Sequence, residues 1–274
     1  MSAGVLADLP AFEAVAARVE GPVLYLTLNR PEARNAMSLR MVTELRLALA
    51  TAEHSGTLRV VVLRGAGGHF CAGGDIKDMA AARMKPATEG EDAMAGVNAQ
   101  FGTLCAAFAR TPLALVAVLE GTVMGGGFGL ACVADVAIAD PSVAFRLPET
   151  SLGVVPAQIA PYLVERLGYS QAKRLAVTGA RVGAEAALAI GLVHEVHAAN
   201  AIDAALARVI GDILQCAPDA VAQTKRLVAE ARFVPGAALV EDAALVFSRA
   251  VLGPEGTEGT MAFVQKRKPS WVPQ

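Results

Sequence analysis

One pattern, met twice, restricts the fold of this chain more than any other feature: an aliphatic run, a turn dense in glycine, and a helix opening directly behind it. Residues 59–63 form the first run, 65–74 the first turn, and helical character resumes at Asp75; residues 113–119, 121–127 and 128–133 repeat the sequence of events. Aliphatic runs without polar alternation suit strands buried on both faces, which helix-covered parallel sheets provide. The repeat therefore predicts a layered α/β domain. The turns also carry chemistry. The first amides of a helix have no intrahelical acceptor, the helix dipole is positive there, and glycine lets a ligand atom come within hydrogen-bond distance. Two such turns can converge on one oxygen and stabilise negative charge on it, at roughly 2.7–4 kcal/mol per donor in a dry site. Each turn alone also reads as an ordinary strand-to-helix connection.

Around this pattern, residues 14–19 and 23–28 flank Glu20-Gly21-Pro22 and predict a hairpin. Ser38 is a candidate N-cap for a helix carrying Leu39, Val42, Leu45 and Leu49 at helical spacing. Residues 96–110 predict a helix, 135–139 and 143–145 strands, and 161–167 and 170–178 two helices parted by Gly168. The polar stretch 85–90, with its proline and glycine, predicts a mobile loop. Beyond Asn200 the patterns are all helical, over 201–215, 218–231, 237–252 and 259–266, so an α/β body over 1–200 and a helical section over 201–274 are expected.

Composition narrows the function. At 54% apolar and 18% charged residues, disorder is excluded. Mean hydropathy is +0.45, yet the longest apolar run, 113–119, falls far short of the ~18 residues of a membrane span. The apolar excess is assigned to the core and to contacts between subunits. Twenty-four basic against 26 acidic residues, net −2, supply no general field for nucleic acid or acidic lipid. Residues 1–10 lack a basic segment followed by an apolar one and carry Asp8, so a cytoplasmic protein is expected. Cys71, Cys105, Cys132 and Cys216 lie far apart and read as small buried apolar residues. His194 and His197 have a metal-like spacing, but their Gly-Leu-Val-His-Glu-Val run reads as a short strand, and no metal is expected. A dinucleotide fingerprint on the second turn would need glycine at 130, where Leu130 stands, and neither a phosphate-binding G-x-x-x-x-G-K-[ST] loop nor a G-x-S-x-G elbow occurs.

The two turns and their flanks resemble the enoyl-CoA hydratase/isomerase (crotonase) superfamily over nearly the whole chain. The matching segments are Leu28-Asn29-Arg30-Pro31-Glu32-Ala33-Arg34-Asn35-Ala36-Met37-Ser38, the turn from Phe70 to Ile76 with Lys77, the turn from Gly121 to Gly129, Asp135-Val136-Ala137-Ile138-Ala139, Leu147-Pro148-Glu149 with Leu152-Gly153, and Gly191-Leu192-Val193. The resemblance implies a spiral of ββα units, a helical C-terminal section that makes a homotrimer or a dimer of trimers, and an acyl-CoA thioester substrate whose coenzyme A is not a separate cofactor. It puts the two oxyanion donors on the amides of Gly74 and Gly126. It places Ala36, Ala72, Asp75, Ile76 and Lys77 along the adenine and pantetheine path, Arg30 and Arg34 near the phosphates, and Phe263 and Lys266 within reach of a neighbouring subunit's nucleotide. By itself, Lys266-Arg267-Lys268 reads as a solvated charge run.

Two glutamates flank a water in the common hydratases of this superfamily. Here the first position is Gly129 and the second is kept as Glu149. One acid can hydrate a double bond if it deprotonates water and returns the same proton, and burial that raises its pKa suits that shuttle. Local sequence alone reads Glu149 equally as a helix-start acid. Gly129 together with Pro156-Ala157-Gln158-Ile159-Ala160-Pro161 is similar to the bacterial 3-methylglutaconyl-CoA and isohexenylglutaconyl-CoA hydratase branch. A distal substrate carboxylate would then call for a cation, for which Arg146, Arg83 and Lys85 are candidates. Glu120 and Asp78 are the other acids near the turns, and residues 79–99 are expected to shape the acyl pocket. A Δ3,Δ2-enoyl-CoA isomerase, which also needs one base, and a non-catalytic acyl-CoA-binding homologue are the alternatives.

Overall fold

In the computed structural model, residues 10–84 and 92–273 are described. The predicted loop at 85–90, Lys85 with it, lies outside them. The chain divides into two compact units, one of residues 1–109 and 115–206, the other of residues 110–114 and 207–274.

The first unit is built on a six-stranded sheet in the order β1-β2-β3-β4-β6-β9 and a three-stranded sheet in the order β5-β7-β8. Strands β1 (Val15–Glu20) and β2 (Val23–Leu28) form the expected antiparallel hairpin about Gly21, whose φ of 54° suits glycine. β2 then pairs in parallel with β3 (Val60–Gly65), and β4 (Ala114–Leu119) with β6 (Val136–Ala139). All six residues of β4 are buried, as its unbroken aliphatic run requires. Helix α1 (Leu39–His54) is capped by Ser38, whose Oγ accepts from the Met41 amide at 3.2 Å. Inside the same helix the Glu44 carboxylate accepts the amides of Glu13, Ala14 and Val15 at 2.8–3.0 Å and so fixes the start of β1.

Both turn-and-helix repeats are present. The first leads into α2 (Ile76–Met84), and after α3 (Ala93–Arg110) the second leads into α4 (Gly126–Val133). The second turn is shorter than its sequence suggests: residues Thr122–Met124 form strand β5, and α4 opens at Gly126 rather than at Phe128. The cause is pairing the sequence does not display, since β5 runs in parallel with β7 (Ala144–Arg146) and Cys71 bridges Val123. Helix α5 (Ala160–Thr178) unites two predicted helices, with Gly168 (φ 70°, ψ 159°) as the single non-helical residue between them. The short β8 (Val182–Gly183), α6 (Ala184–Ala189) and β9 (Glu195–Val196) complete the unit.

The second unit carries most of α7 (Ile202–Gln215), then α8 (Pro218–Glu230), α9 (Gly236–Leu252) and α10 (Pro254–Val264). α10 begins five residues before the predicted 259, because Pro254 is favoured at the first helical position despite Gly256 and Gly259. Cys216 corrects an expectation: it follows the end of α7 and is exposed, while Cys71, Cys105 and Cys132 are buried. No helix among the described residues is long and apolar enough to cross a membrane.

Asn35 joins the hairpin to the first glycine turn. It is 0% exposed at φ 57°, accepts the Arg30 amide at 2.9 Å, and donates to the carbonyls of Ala66 and His69 at 2.9 and 2.6 Å. Asn35→Ala leaves three backbone groups unpaired in a dry place, and a loss of about 3 kcal/mol in a urea unfolding experiment is the expected result.

Candidate active site

The first turn is held on both sides. Towards the hairpin, the Met37 amide donates to the Gly73 carbonyl at 2.7 Å and the Asp75 amide to the Met37 carbonyl at 3.0 Å, forming a parallel bridge between Met37 and Gly74. In such a bridge the neighbours of Gly74 make the hydrogen bonds, so the Gly74 amide points away from Met37. Towards the second turn, the Cys71 amide donates to Thr122 at 3.0 Å and Met124 to Cys71 at 2.9 Å. The second turn is fixed by the Gly125 amide, which donates to the Arg146 carbonyl at 3.2 Å. Gly125, at φ 47° and ψ −116°, then starts α4. Gly126 is its first residue, and its amide is one of the unpaired donors of that helix. Among the described residues, the amides of Gly74 and Gly126 have no protein acceptor.

The turns touch each other. A Cβ placed on Gly125 would lie 3.4 Å from the Gly73 Cα and 3.0 Å from Glu149 Oε1. The left-handed φ values of both glycines, 101° at Gly73 and 47° at Gly125, exclude side chains there on conformational grounds as well. The same contact brings Glu149 to the second turn, from a 3-10 turn over Glu149–Leu152 that Gly153 terminates at φ 73°. Glu149 Oε2 is buried without a hydrogen-bond partner, and burial pushes the carboxyl above the usual carboxylate range. A buried carboxylate left unpaired costs stability, so its presence asks for a use.

The other acids near the turns are already engaged. Glu120 receives the Arg64 guanidinium at 2.7 and 2.8 Å, and Asp78 caps α1 by accepting the Leu39 amide at 2.7 Å. Asp75 is 8% exposed and pairs with Arg30 at 2.6 Å, while its other oxygen accepts the Lys77 amide at 2.8 Å. Burial would raise the Asp75 carboxyl, but Arg30 and the Lys77 amide bring it below the usual range. Arg30 also donates to the Ala36 carbonyl at 2.8 Å. Arg30, Ala36, Asp75 and Lys77 thus meet at the first turn, and Ala72 joins them through its amide on the Arg34 carbonyl at 3.0 Å. Arg34, Ile76 and Lys77 have exposed side chains, Ile76 at 79%. Phe263 (85% exposed) and Lys266 (φ 55°) belong to the second unit.

At position 129 the helix face is closed. A Cβ on Gly129 would lie 2.3 Å from Ile159 Cγ2 and 3.7 Å from the Phe101 ring, and one on Gly126 would lie 3.1 Å from that ring. Phe101 gives no signal in the sequence beyond an aromatic in a helix, whereas Ile159 stands in the segment already paired with Gly129. The Cys71 thiol, behind the first turn, is pushed up to about 11 by burial and is no nucleophile at neutral pH. His194 presents Nδ1 to the Ala137 amide and Nε2 to Arg166, both at 2.9 Å, and His197 pairs with Glu195 at 2.6 Å. Burial and Arg166 lower the His194 pKa. A cavity of about 480 Å³ in the second unit is lined by Asp219, Gln223, Phe247, Arg249 and Glu255 among others, with no residue of either glycine turn.

Known proteins share this arrangement of elements. Residues 18–274 match the family described as enoyl-CoA hydratase/isomerase. Mevalonyl-coenzyme A hydratase of Beauveria bassiana is 32% identical over 257 residues, 91% of each chain. An enoyl-CoA hydratase/isomerase from Marinobacter aquaeolei superposes with a TM-score of 0.92 at 49% identity, covering 95% of this chain and 99% of that one. AtuE of Pseudomonas aeruginosa gives 0.91 at 52% identity over 95% and 100%. Sequence and fold thus agree across almost the entire chain, which belongs to the enoyl-CoA hydratase/isomerase family as an enzyme of the enoyl-CoA hydratase kind.

Proposed function

We propose that this enzyme adds water across the 2,3 double bond of a glutaconyl-type acyl-CoA with one carboxylate, Glu149, and an oxyanion hole made by the amides of Gly74 and Gly126. The observation that carries the reading is the contact between Glu149 and the second glycine turn, with Oε2 buried and unpartnered. The thioester oxygen sits between the two amides, which meet the negative charge that develops as water attacks C3. Glu149 takes a proton from that water and returns it to C2, so no net proton is consumed. Exposed Arg34 suits the phosphates, and exposed Ile76 and Lys77 the adenine and pantetheine path; Arg30, held by Asp75 and Ala36, orders the loop from which Arg34 projects.

The glutaconyl assignment rests on the pairing of Gly129 with the segment that contains Ile159. Arg146 is a poor partner for a distal carboxylate, since its Nε is bound to the Gly179 carbonyl at 3.0 Å. Arg83, exposed at the end of α2, is the better described candidate. Phe247, Leu252 and Phe263, at 71, 80 and 85% exposure, favour burial of the helical section between subunits of a trimer or a dimer of trimers.

One carboxylate equally serves a proton transfer from C2 to C4. Assays of 2-enoyl and 3-enoyl thioesters, with and without a terminal carboxylate, separate the activities. Hydration of a carboxylated 2-enoyl-CoA at a kcat/KM at least about tenfold above that of an unsubstituted one is expected, from the differential binding of one paired charge. Isomerisation without hydrated product would overturn the proposal.

A further inference from the structure

Position 129 is one helical turn from the point where Glu149 meets α4. The Gly129 amide donates to the Gly125 carbonyl at 3.1 Å, so the two glycines lie on one face about 6 Å apart along the axis. Glu149 covers the first of them and Ile159 the second. With Cγ2 2.3 Å and Cβ 3.2 Å from where a Cβ at 129 would be, Ile159 leaves no room for any side chain there. Nor is Ile159 free to withdraw. It is 3% exposed, its carbonyl accepts the Leu163 amide at 2.9 Å as α5 begins, and its branched Cβ restricts χ1. Its neighbour Gln158 crosses α3, with Oε1 2.0 Å from where a Cβ on Gly102 would be and Nε2 donating to Asn98 Oδ1 at 2.8 Å. Gln158 and Ile159 are therefore two adjacent pegs. One is seated over a glycine of α3 and the other over a glycine of α4, and both fasten the segment that follows Glu149.

We infer that Ile159 is a positioning residue that commits this site to one carboxylate: it fills the volume over Gly129, closes it with Phe101 against water and any second acid, and anchors the Glu149 segment to α4. The inference rests on the reading of Glu149 as the proton-transferring group, and it deepens that reading by naming what keeps the carboxylate single. An apolar wall one turn from the carboxylate gives a second water no polar partner.

The test separates packing from catalysis. Gly129→Glu alone is expected to lower the thermal midpoint by roughly 10 °C or to prevent folding, from overpacking. The double variant Gly129→Glu/Ile159→Gly should melt close to Ile159→Gly alone. For turnover, Ile159→Ala should lower kcat for the preferred 2-enoyl-CoA by about tenfold or more with KM within about twofold, as a displaced but intact acid does, and Ile159→Val should recover most of the loss. Gly129→Glu melting with the parent, or Ile159→Ala turning over at the parental kcat, would overturn the inference. The melting results need no substrate, so they report on the peg even if Glu149→Gln keeps its hydratase activity and the reading of Glu149 itself falls.

Discussion

Glutamine at position 149 is expected to lower hydration by roughly 10²–10⁴-fold, the range that a positioned acid–base group contributes, with CoA affinity nearly unchanged. Glutamine keeps the shape of the side chain and its approach to Gly125, but it can neither take a proton from water nor return one to C2. The contacts assigned to the nucleotide and pantetheine lie elsewhere, so the loss falls on kcat rather than on binding. The same substitution has a thermodynamic signature. Burial raises the Glu149 carboxyl above its ordinary value, and no cation among the described residues reverses the shift. Between the unfolded and the raised folded value the folded chain holds more protons than the unfolded one, so stability falls as pH rises through that window. Above it, the buried carboxylate is a constant burden that glutamine removes. Calorimetry should therefore show Glu149→Gln melting above the parent at pH 8, with the gap closing as pH falls below the ordinary glutamate value. Activity of the parent should decline on acidification at a pH above the usual carboxylate range. A variant that hydrates at the parental rate, or that melts with the parent at every pH, would remove Glu149 from its role.

Gly126→Pro should lower kcat by about 10²–10³-fold, the loss expected when one oxyanion donor is removed. Proline is tolerated at the first position of a helix, where its missing N–H breaks no intrahelical bond, so α4 should survive the change. The comparison that isolates the amide is Gly126→Ala, which keeps the N–H and adds a Cβ 3.1 Å from the Phe101 ring. Proline falling at least tenfold below alanine, with circular dichroism of both matching the parent, assigns the loss to the donor. Equal rates for the two would place the oxyanion hole elsewhere.

Much of this site is legible in the chain because its parts are local. The aliphatic runs at β3 and β4, the glycines that follow them and the Ser38 cap each act within a few residues, and periodicity reports such effects directly. Strand β5 was hidden inside a glycine turn because three residues pair only through distant partners, Arg146 and Cys71 among them. The exposure of Cys216 was equally hidden, since composition says that a cysteine prefers burial and nothing of where a helix ends.

The sequence by itself determined the layered α/β class and the two glycine-rich turns, since each follows from residue type and spacing; that Gly129 stands where the common hydratases carry an acid came from the family resemblance. Only the tertiary structure decided which acid stays available: Glu120 is taken by Arg64, Asp78 by the Leu39 amide and Asp75 by Arg30, while Glu149 is brought to the second turn unpaired. It also shows why position 129 holds glycine. Residues 30 apart in the chain, Gly129 and Ile159, occupy one volume, and close packing admits only one side chain there.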